Sequence, residues 1–257
     1  MGKRTALITG GATGIGKMAA IKLAQEGINL VINYRNSQYE AEQLCQHLTT
    51  VYNTENICIR GDIANSNDCE ILTSQALKEF NSIDILVHNA GPYIHERKKM
   101  TDYSLEEWRY LVDGNLNAVF YLSKLLIPQM RNNQWGRIIT IGFDRAEASS
   151  GWIYRSAFAA SKSAVASLTK TIAMEEAKYG ITANMVCPGD IVGDWKEKEI
   201  EDAISIKDVN TPVGRPGTGE DIARCICFLV EDKSSFITGS IIPVTGGKDV
   251  LGKIHRL

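Results

Sequence analysis

The sequence has no apolar run approaching the roughly 20 residues that a membrane-spanning helix needs, which argues against a membrane partner. It has no Cys-x-x-Cys pair. Its six cysteines stand at positions 45, 58, 69, 187, 225 and 227. The closest two, Cys225 and Cys227, fall in a segment of helical period, where side chains two apart point away from each other. Six buried thiols in a reducing compartment are expected, rather than disulfides or metal ligands. The four histidines, 47, 88, 95 and 255, have no ligand spacing, so no metal is expected. There is no excess of charge. With 28 basic and 30 acidic residues the net charge is -2, which argues against a dedicated nucleic-acid binder. Repeats, linkers and low-complexity stretches are absent, so residues 1–257 read as one domain. The first strand is expected by about residue 4, which leaves no room for a secretory leader; a cytoplasmic protein is the expectation.

What is present is an alternation. The apolar run Ala6-Leu7-Ile8 leads into Thr9-Gly10-Gly11-Ala12-Thr13-Gly14-Ile15-Gly16. After it, Ile15, Ala19 and Leu23 recur at helical spacing. That reads as strand, tight glycine turn and helix, an arrangement whose free N–H groups and partial positive charge suit a pyrophosphate. Further strands are predicted at 28–33, 57–59, 83–88, 137–141, 181–187 and 241–244. Helices are predicted at about 37–52, 66–80, 104–131, 153–178 and 219–231, and a short one at 196–204. Ser104 with Glu107 forms a capping-box pattern, and Gly180 ends its helix. Near-continuous apolar strands alternating with helices predict a doubly wound parallel sheet, an α/β fold of Rossmann type covered on both faces. Ligands of such sheets sit beyond the carboxyl ends of the strands.

Those strand ends carry the motifs. Over essentially its full length the sequence resembles the short-chain dehydrogenase/reductase family, and most nearly its 3-oxoacyl-[acyl-carrier-protein] reductases. The resemblance rests on Thr9-Gly10-x-x-x-Gly14-Ile15-Gly16, Asp62-Ile63, Asn89-Ala90-Gly91, Asn115, Pro188-Gly189 and the stretch from Phe236 to Gly247. It implies a nicotinamide cofactor held by Gly10, Thr13, Gly14, Ile15 and Gly16, by Asp62 and Ile63 beside the adenine, and by Asn89, Ala90, Gly91, Pro188 and Gly189. At the end of the second strand an acidic residue would bind the ribose 2′-hydroxyl of NAD. Here Asn33-Tyr34 stands there, with Arg35 next. A guanidinium can pair with a 2′-phosphate, so NADP(H) is expected over NAD(H).

The resemblance also implies a catalytic Ser, Tyr and Lys, supported by Asn115. Lys162 matches the lysine, which binds the nicotinamide ribose. Four residues earlier, on the same helix face, the tyrosine position holds Phe158. The serine position falls on Phe143, and Gly193 stands where the family often has Thr. Losing a positioned general acid costs ~10²–10⁴ in rate, and losing an oxyanion donor ~10²–10³. A stand-in is therefore needed. Tyr154 is the candidate if its segment folds back from a loop; on a helix it would sit ~6 Å beyond Phe158 along the axis and ~12 Å from Lys162. Asp144, Ser149, Ser150 and a neutral Lys162 are alternatives. Two readings follow. One is an NADP(H)-dependent oxidoreductase acting on a small carbonyl or acyl-thioester substrate through an altered proton relay. The other is a cofactor-binding homologue without chemistry, such as a sensor, a scaffold or a silent oligomer partner. The 93–100 and 188–217 loops, with Tyr93, Trp152 and Trp195, would shape the substrate wall. The resemblance further implies a homotetramer pairing the two long helices. The small residues Ala157, Ala159, Ala160, Ala164 and Ala166 would allow their close approach. The tail from Lys248 to Leu257 runs past the usual family end.

Overall fold

Short apolar runs rich in Ile and Val become strands because β-branched side chains fit a pleated, buried surface. The longer periodic segments close their own backbone hydrogen bonds as helices. In the computed structural model, which describes residues 3–251, the strands are β1 (Thr5–Ile8), β2 (Asn29–Tyr34), β3 (Asn56–Arg60), β4 (Ile85–His88), β5 (Gly136–Ile141), β6 (Ile181–Pro188) and β7 (Ile241–Val244). They form one sheet in the order β3-β2-β1-β4-β5-β6-β7, every neighbour parallel. The order reverses between β1 and β4, and that crevice is where ligands of doubly wound sheets bind.

The helices are α1 (Gly14–Gln25), α2 (Gln38–Tyr52), α3 (Ser66–Phe80), α4 (Leu105–Val112), α5 (Ala118–Asn133), α6 (Ser156–Glu176), α7 (Ile200–Ile204) and α8 (Gly219–Val230). Alternate strand residues face opposite ways. Ala6 and Ile8 of β1 join the core beneath α1, α2 and α8, with Leu23, Leu48 and Ile226. Leu7 between them joins the core beneath α3, α5 and α6, with Leu72, Leu126 and Ile172. A third cluster sits at the carboxyl end of the sheet around Phe143, Val165, Met185 and Leu251. Both faces of the sheet are thus covered, as the apolar strands require.

Three helices depart from the sequence reading. The helix expected over 104–131 is broken in register by a π-helical turn, Asp113–Asn117, between α4 and α5. Its start is as expected, with Ser104 and Glu107 capping each other's backbone N–H. The helix expected from 153 begins only at Ser156, because Tyr154 adopts a left-handed backbone with φ of +64°. The short helix expected at 196–204 is a 3₁₀ turn, Gly193–Glu197, followed by α7. The cysteines are free thiols, but only Cys45, Cys69 and Cys187 are buried; Cys58, Cys225 and Cys227 are half-buried. Of the tail, residues 252–257 lie outside the described residues.

Candidate functional site

The glycine turn after β1 is fixed from β4. Asn89 donates its amide to the carbonyls of Thr9 (3.0 Å) and Gly10 (3.1 Å), and Ala90 N–H donates to Thr9 Oγ1. A Cβ on Gly16 would collide with Gly10 O and lie 2.6 Å from Asn89 Nδ2, so only glycine lets α1 approach this closely. Asn89 therefore acts on the turn, and its side-chain donors are spent there. Thr13 caps α1 without a side-chain hydrogen bond, which leaves the first amides of the helix for an anion. A carboxylate already sits there: Glu197 accepts from Gly14 N–H and from Lys17 Nζ, both at 2.7 Å. No sequence signal points to Glu197, since its seat depends on how the 193–197 turn folds over the sheet.

Next to the turn lies a cleft of about 190 Å³ that gathers Gly10, Arg35, Asp62, Ile63, Ala90 and Gly91. Arg35 stands at its mouth with its side chain about half exposed, 3.4 Å from Asp62 Oδ2 and 3.3 Å from Tyr110 Oη. Asn33 and Tyr34 are buried, so Arg35 is the first side chain beyond β2 free to meet a ligand. Pro188 ends β6 and Gly189 follows it. Gly189 N–H is bonded to Val244 O, and a Cβ there would crowd Thr245 Cα at 2.7 Å.

Deeper in, the structure brings Asn115 and Lys162 together around Gly91. A Cβ on Gly91 would collide with Asn115 Oδ1 and lie 3.3 Å from Lys162 Nζ. Asn115 sits in the π turn, and its amide nitrogen donates to Pro92 O and Leu111 O, each at 2.9 Å. Its Oδ1 is buried with no partner. Lys162 is buried, and its Nζ donates to Ile141 O at 2.7 Å. Burial lowers its pKa to about 8, because a charged ammonium loses its hydration there; only the nearby Cys187 thiol opposes the shift. Behind it His88 is also buried, and burial together with the Lys162 charge lowers its pKa to about 3. His88 is thus a neutral ring sharing a hydrogen bond with Ser123.

Phe143 and Phe158 are part of an aromatic cluster. Phe143 stacks on Trp152 (5.3 Å between ring centres) and lies 6.2 Å from Phe158. Phe158 meets Tyr93 edge-on at 5.0 Å, and Lys162 Nζ lies 5.8 Å from the Phe158 ring. Two further buried polar atoms of this region, Trp152 Nε1 and Ser156 Oγ, have no partner. Tyr154 belongs to the loop before α6, and its ring lies against Arg97, 5.7 Å from the guanidinium carbon. The 142–155 loop holds three of the six described non-glycine residues with left-handed φ, Arg145, Ser149 and Tyr154, a concentration of strain typical of functional segments. The tail closes the far side: Arg145 pairs with Asp249 at 2.7 Å, Lys248 with Asp190 at 3.2 Å, and Leu251 is buried in the Phe143 cluster. No group of three metal-ligating side chains is found among the described residues, nor any helix long and apolar enough to cross a membrane.

Comparison with known proteins agrees with this fold. A family model described as enoyl-(acyl carrier protein) reductase matches residues 10–249. YtkK of Bacillus subtilis, named as an oxidoreductase, is 49% identical over 97% of this chain and 98% of its own. The 3-oxoacyl-[acyl-carrier-protein] reductase FabG of Staphylococcus epidermidis is 34% identical over 95% of this chain and 98% of its own. A solved structure from Bacillus thuringiensis, described as a 3-oxoacyl-reductase, superimposes with a TM-score of 0.90 at 46% identity, covering 97% of this chain and 100% of that one. The chain belongs to the short-chain dehydrogenase/reductase family and is an oxidoreductase by kinship.

Proposed function

We propose that this chain is an NADP(H)-dependent reductase of carbonyl substrates of the 3-oxoacyl-thioester class, working through a proton relay altered from that of its family. The observation that carries the reading is Lys162. A buried ammonium with one neutral protein partner costs stability, and a chain needing only a packed core would have replaced it. It stands instead beside the orphaned Asn115 Oδ1, facing Gly91 and the cleft. The residues present fit a dinucleotide. The Gly10–Gly16 turn offers a cradle that a Cβ would fill, and the carboxylate on Gly14 stands in for a phosphate. Arg35 would meet the 2′-phosphate, Asp62 and Ile63 the adenine, Thr13, Gly14 and Ile15 the pyrophosphate, and Lys162 the nicotinamide ribose. Ala90, Gly91, Pro188 and Gly189 would line the path between. When bound, the reduced cofactor supplies the hydride. The chain supplies position, exclusion of water and a proton, the last from a phenol of the loops beside α6, where position in the sequence favours Tyr154 and contact with Phe158 favours Tyr93.

The reading extends to the whole protein. Residues 1–257 would act as one domain with the 188–217 segment as substrate loop, in a reducing cytoplasm that keeps the six thiols free. Phe120 and Met174, 50% and 75% exposed on α5 and α6, are apolar surface that a homotetramer would cover. The test is oxidation of NADPH and of NADH over a panel of ketones and 3-oxoacyl thioesters, with the natural protein beside the Phe143→Ser/Phe158→Tyr variant. Turnover by the natural protein with NADPH is expected. Turnover by the variant alone would show instead that the natural chain binds cofactor without chemistry.

A further inference from the structure

Phe158 fills the place where the family resemblance puts the acid hydroxyl, and one phenol touches it. Among the described residues, the rings packed on Phe158 are Phe143, Trp152 and Tyr93, and only Tyr93 carries a hydroxyl. Tyr93 comes two residues after Gly91, and the carbonyl between them, Pro92 O, is held by Asn115. The segment that delivers Tyr93 is therefore fixed by the same residue that faces Lys162. We propose that the Tyr93 hydroxyl is the proton donor to the substrate carbonyl, with Arg155 as the cation that positions it.

A guanidinium faces the Tyr93 hydroxyl. Arg155 Nε donates to Tyr93 Oη at 2.5 Å, and the guanidinium carbon lies 5.0 Å from the Tyr93 ring centre. The rest of the guanidinium is anchored to neutral acceptors, the carbonyls of Tyr154 and Glu96 at 2.8 Å and of His95 at 2.9 Å. None of these hydrogen bonds goes to a carboxylate, so the positive charge stays directed at the phenol oxygen. A charge-assisted bond to an oxygen that becomes negative strengthens as the proton leaves. The Tyr93 oxygen accepts this bond, and among the described residues its own proton has no acceptor. Among the described residues, neither of the neighbouring phenols, Tyr103 and Tyr154, packs on the Phe158 ring. Tyr103 donates to Tyr154 O, and the Tyr154 ring lies against Arg97. The left-handed backbone of Tyr154 also acquires a purpose, because it turns the chain so that Arg155 points back at Tyr93 while Ser156 starts α6.

This inference rests on the reductase reading above. As the hydride of a reduced nicotinamide adds to the carbonyl carbon, the C=O π pair moves onto oxygen. The Tyr93 O–H bond breaks and an O–H bond forms on the substrate. The product is the alcohol, the nicotinamide is oxidised, and the Tyr93 phenolate faces Arg155 until water returns its proton.

The experiment compares Tyr93→Phe, Tyr154→Phe, Arg155→Lys, Arg155→Met and Tyr93→Phe/Phe158→Tyr in NADPH oxidation with a 3-oxoacyl thioester. NADPH affinity is measured in parallel by fluorescence. Tyr93→Phe should lower kcat by ~10²–10⁴ with KM and NADPH affinity unchanged. Adding Phe158→Tyr should restore turnover by placing a phenol beside Lys162. Arg155→Met should lower kcat without raising KM, and Arg155→Lys should recover part of the loss. A natural protein that turns over, with a Tyr93→Phe variant that keeps its kcat or a Tyr154→Phe variant that alone loses it, would overturn this inference and leave the reductase reading standing. A natural protein that binds NADPH and reduces nothing would overturn both.

Discussion

Replacing Lys162 by Met should make the protein more stable and functionally worse. The side chains are similar in length, so the core keeps its volume while the buried charge goes. Burial takes the Lys162 pKa from 10.5 to about 8, a shift worth about 3 kcal/mol against the charged, folded state. The ammonium also serves Ile141 O, and leaving that carbonyl without its donor returns about 1 kcal/mol. A net gain of ~2 kcal/mol is expected near pH 6–7. The sign with pH follows from proton binding. Between pH 8 and 10.5 the unfolded chain holds the lysine proton and the folded chain does not, so raising the pH favours the natural fold. Below pH 8 the lysine is charged in both states and the whole cost is present. The advantage of the variant should therefore be complete below pH 8 and fade toward 10.5. Thiols titrate nearby, with the buried Cys45, Cys69 and Cys187 and the half-buried Cys227 pushed up to about 12 by desolvation, so absolute slopes mix several groups. The difference between variant and natural protein removes contributions common to both. Urea unfolding midpoints for the pair, measured from pH 6 to 10.5, supply the comparison. A variant no more stable at pH 7, or a difference flat in pH, would refute the claim that Lys162 is held at a cost for a ligand.

Other consequences are as direct. Glu197→Gln should tighten NADPH binding by about two- to fivefold, since an exposed carboxylate pair contributes roughly 0.2–1 kcal/mol; weaker binding in titration would mean that Glu197 supports the turn rather than competing for it. Arg35→Ala should weaken NADPH by about tenfold or more and leave NADH unaltered, as expected from losing a charge-assisted contact of about 1.5–3 kcal/mol. Equal losses for both cofactors would remove Arg35 from phosphate recognition. Light scattering should give the mass of a tetramer, and Phe120→Glu on α5 should shift it downward; a monomer in the natural protein would refute the pairing of long helices.

The parts of the fold governed by short-range pattern were legible in the sequence. Apolar runs placed the seven strands, and Ser104, Glu107 and Gly180 marked helix ends by chemistry that needs no tertiary partner. The site was legible where backbone geometry demands a residue type, as at Gly10–Gly16 and Gly91. The π turn was not: the weak helix formers Asp113, Gly114, Asn115 and Asn117 mark a soft spot in the helix but not a change of register. The extra residue in that turn goes with tertiary demands, the amide of Asn115 reaching Pro92 O and Gly114 tucked against the Pro92 ring. Arg155 was equally silent: an arginine before a helix usually reads as a solvated charge. Three of its four hydrogen bonds exist only because the 93–96 segment folds over it. Tyr93 drew notice as a wall residue, but its hydroxyl gains meaning only from Arg155 on one side and Phe158 on the other. The phenylalanines at 143 and 158 were visible at once. That they stack with Trp152 and Tyr93 into one cluster required the loop geometry.

The most direct measurement is deuterium transfer. The natural protein would be given NADPH deuterated at C4 of the nicotinamide together with a 3-oxoacyl thioester, and the product analysed by mass spectrometry. A 3-hydroxyacyl product carrying one deuterium at C3 is predicted, in amount equal to the NADPH oxidised. Tight binding of NADPH with no labelled product across the carbonyl panel would contradict the assignment of this chain as a reductase.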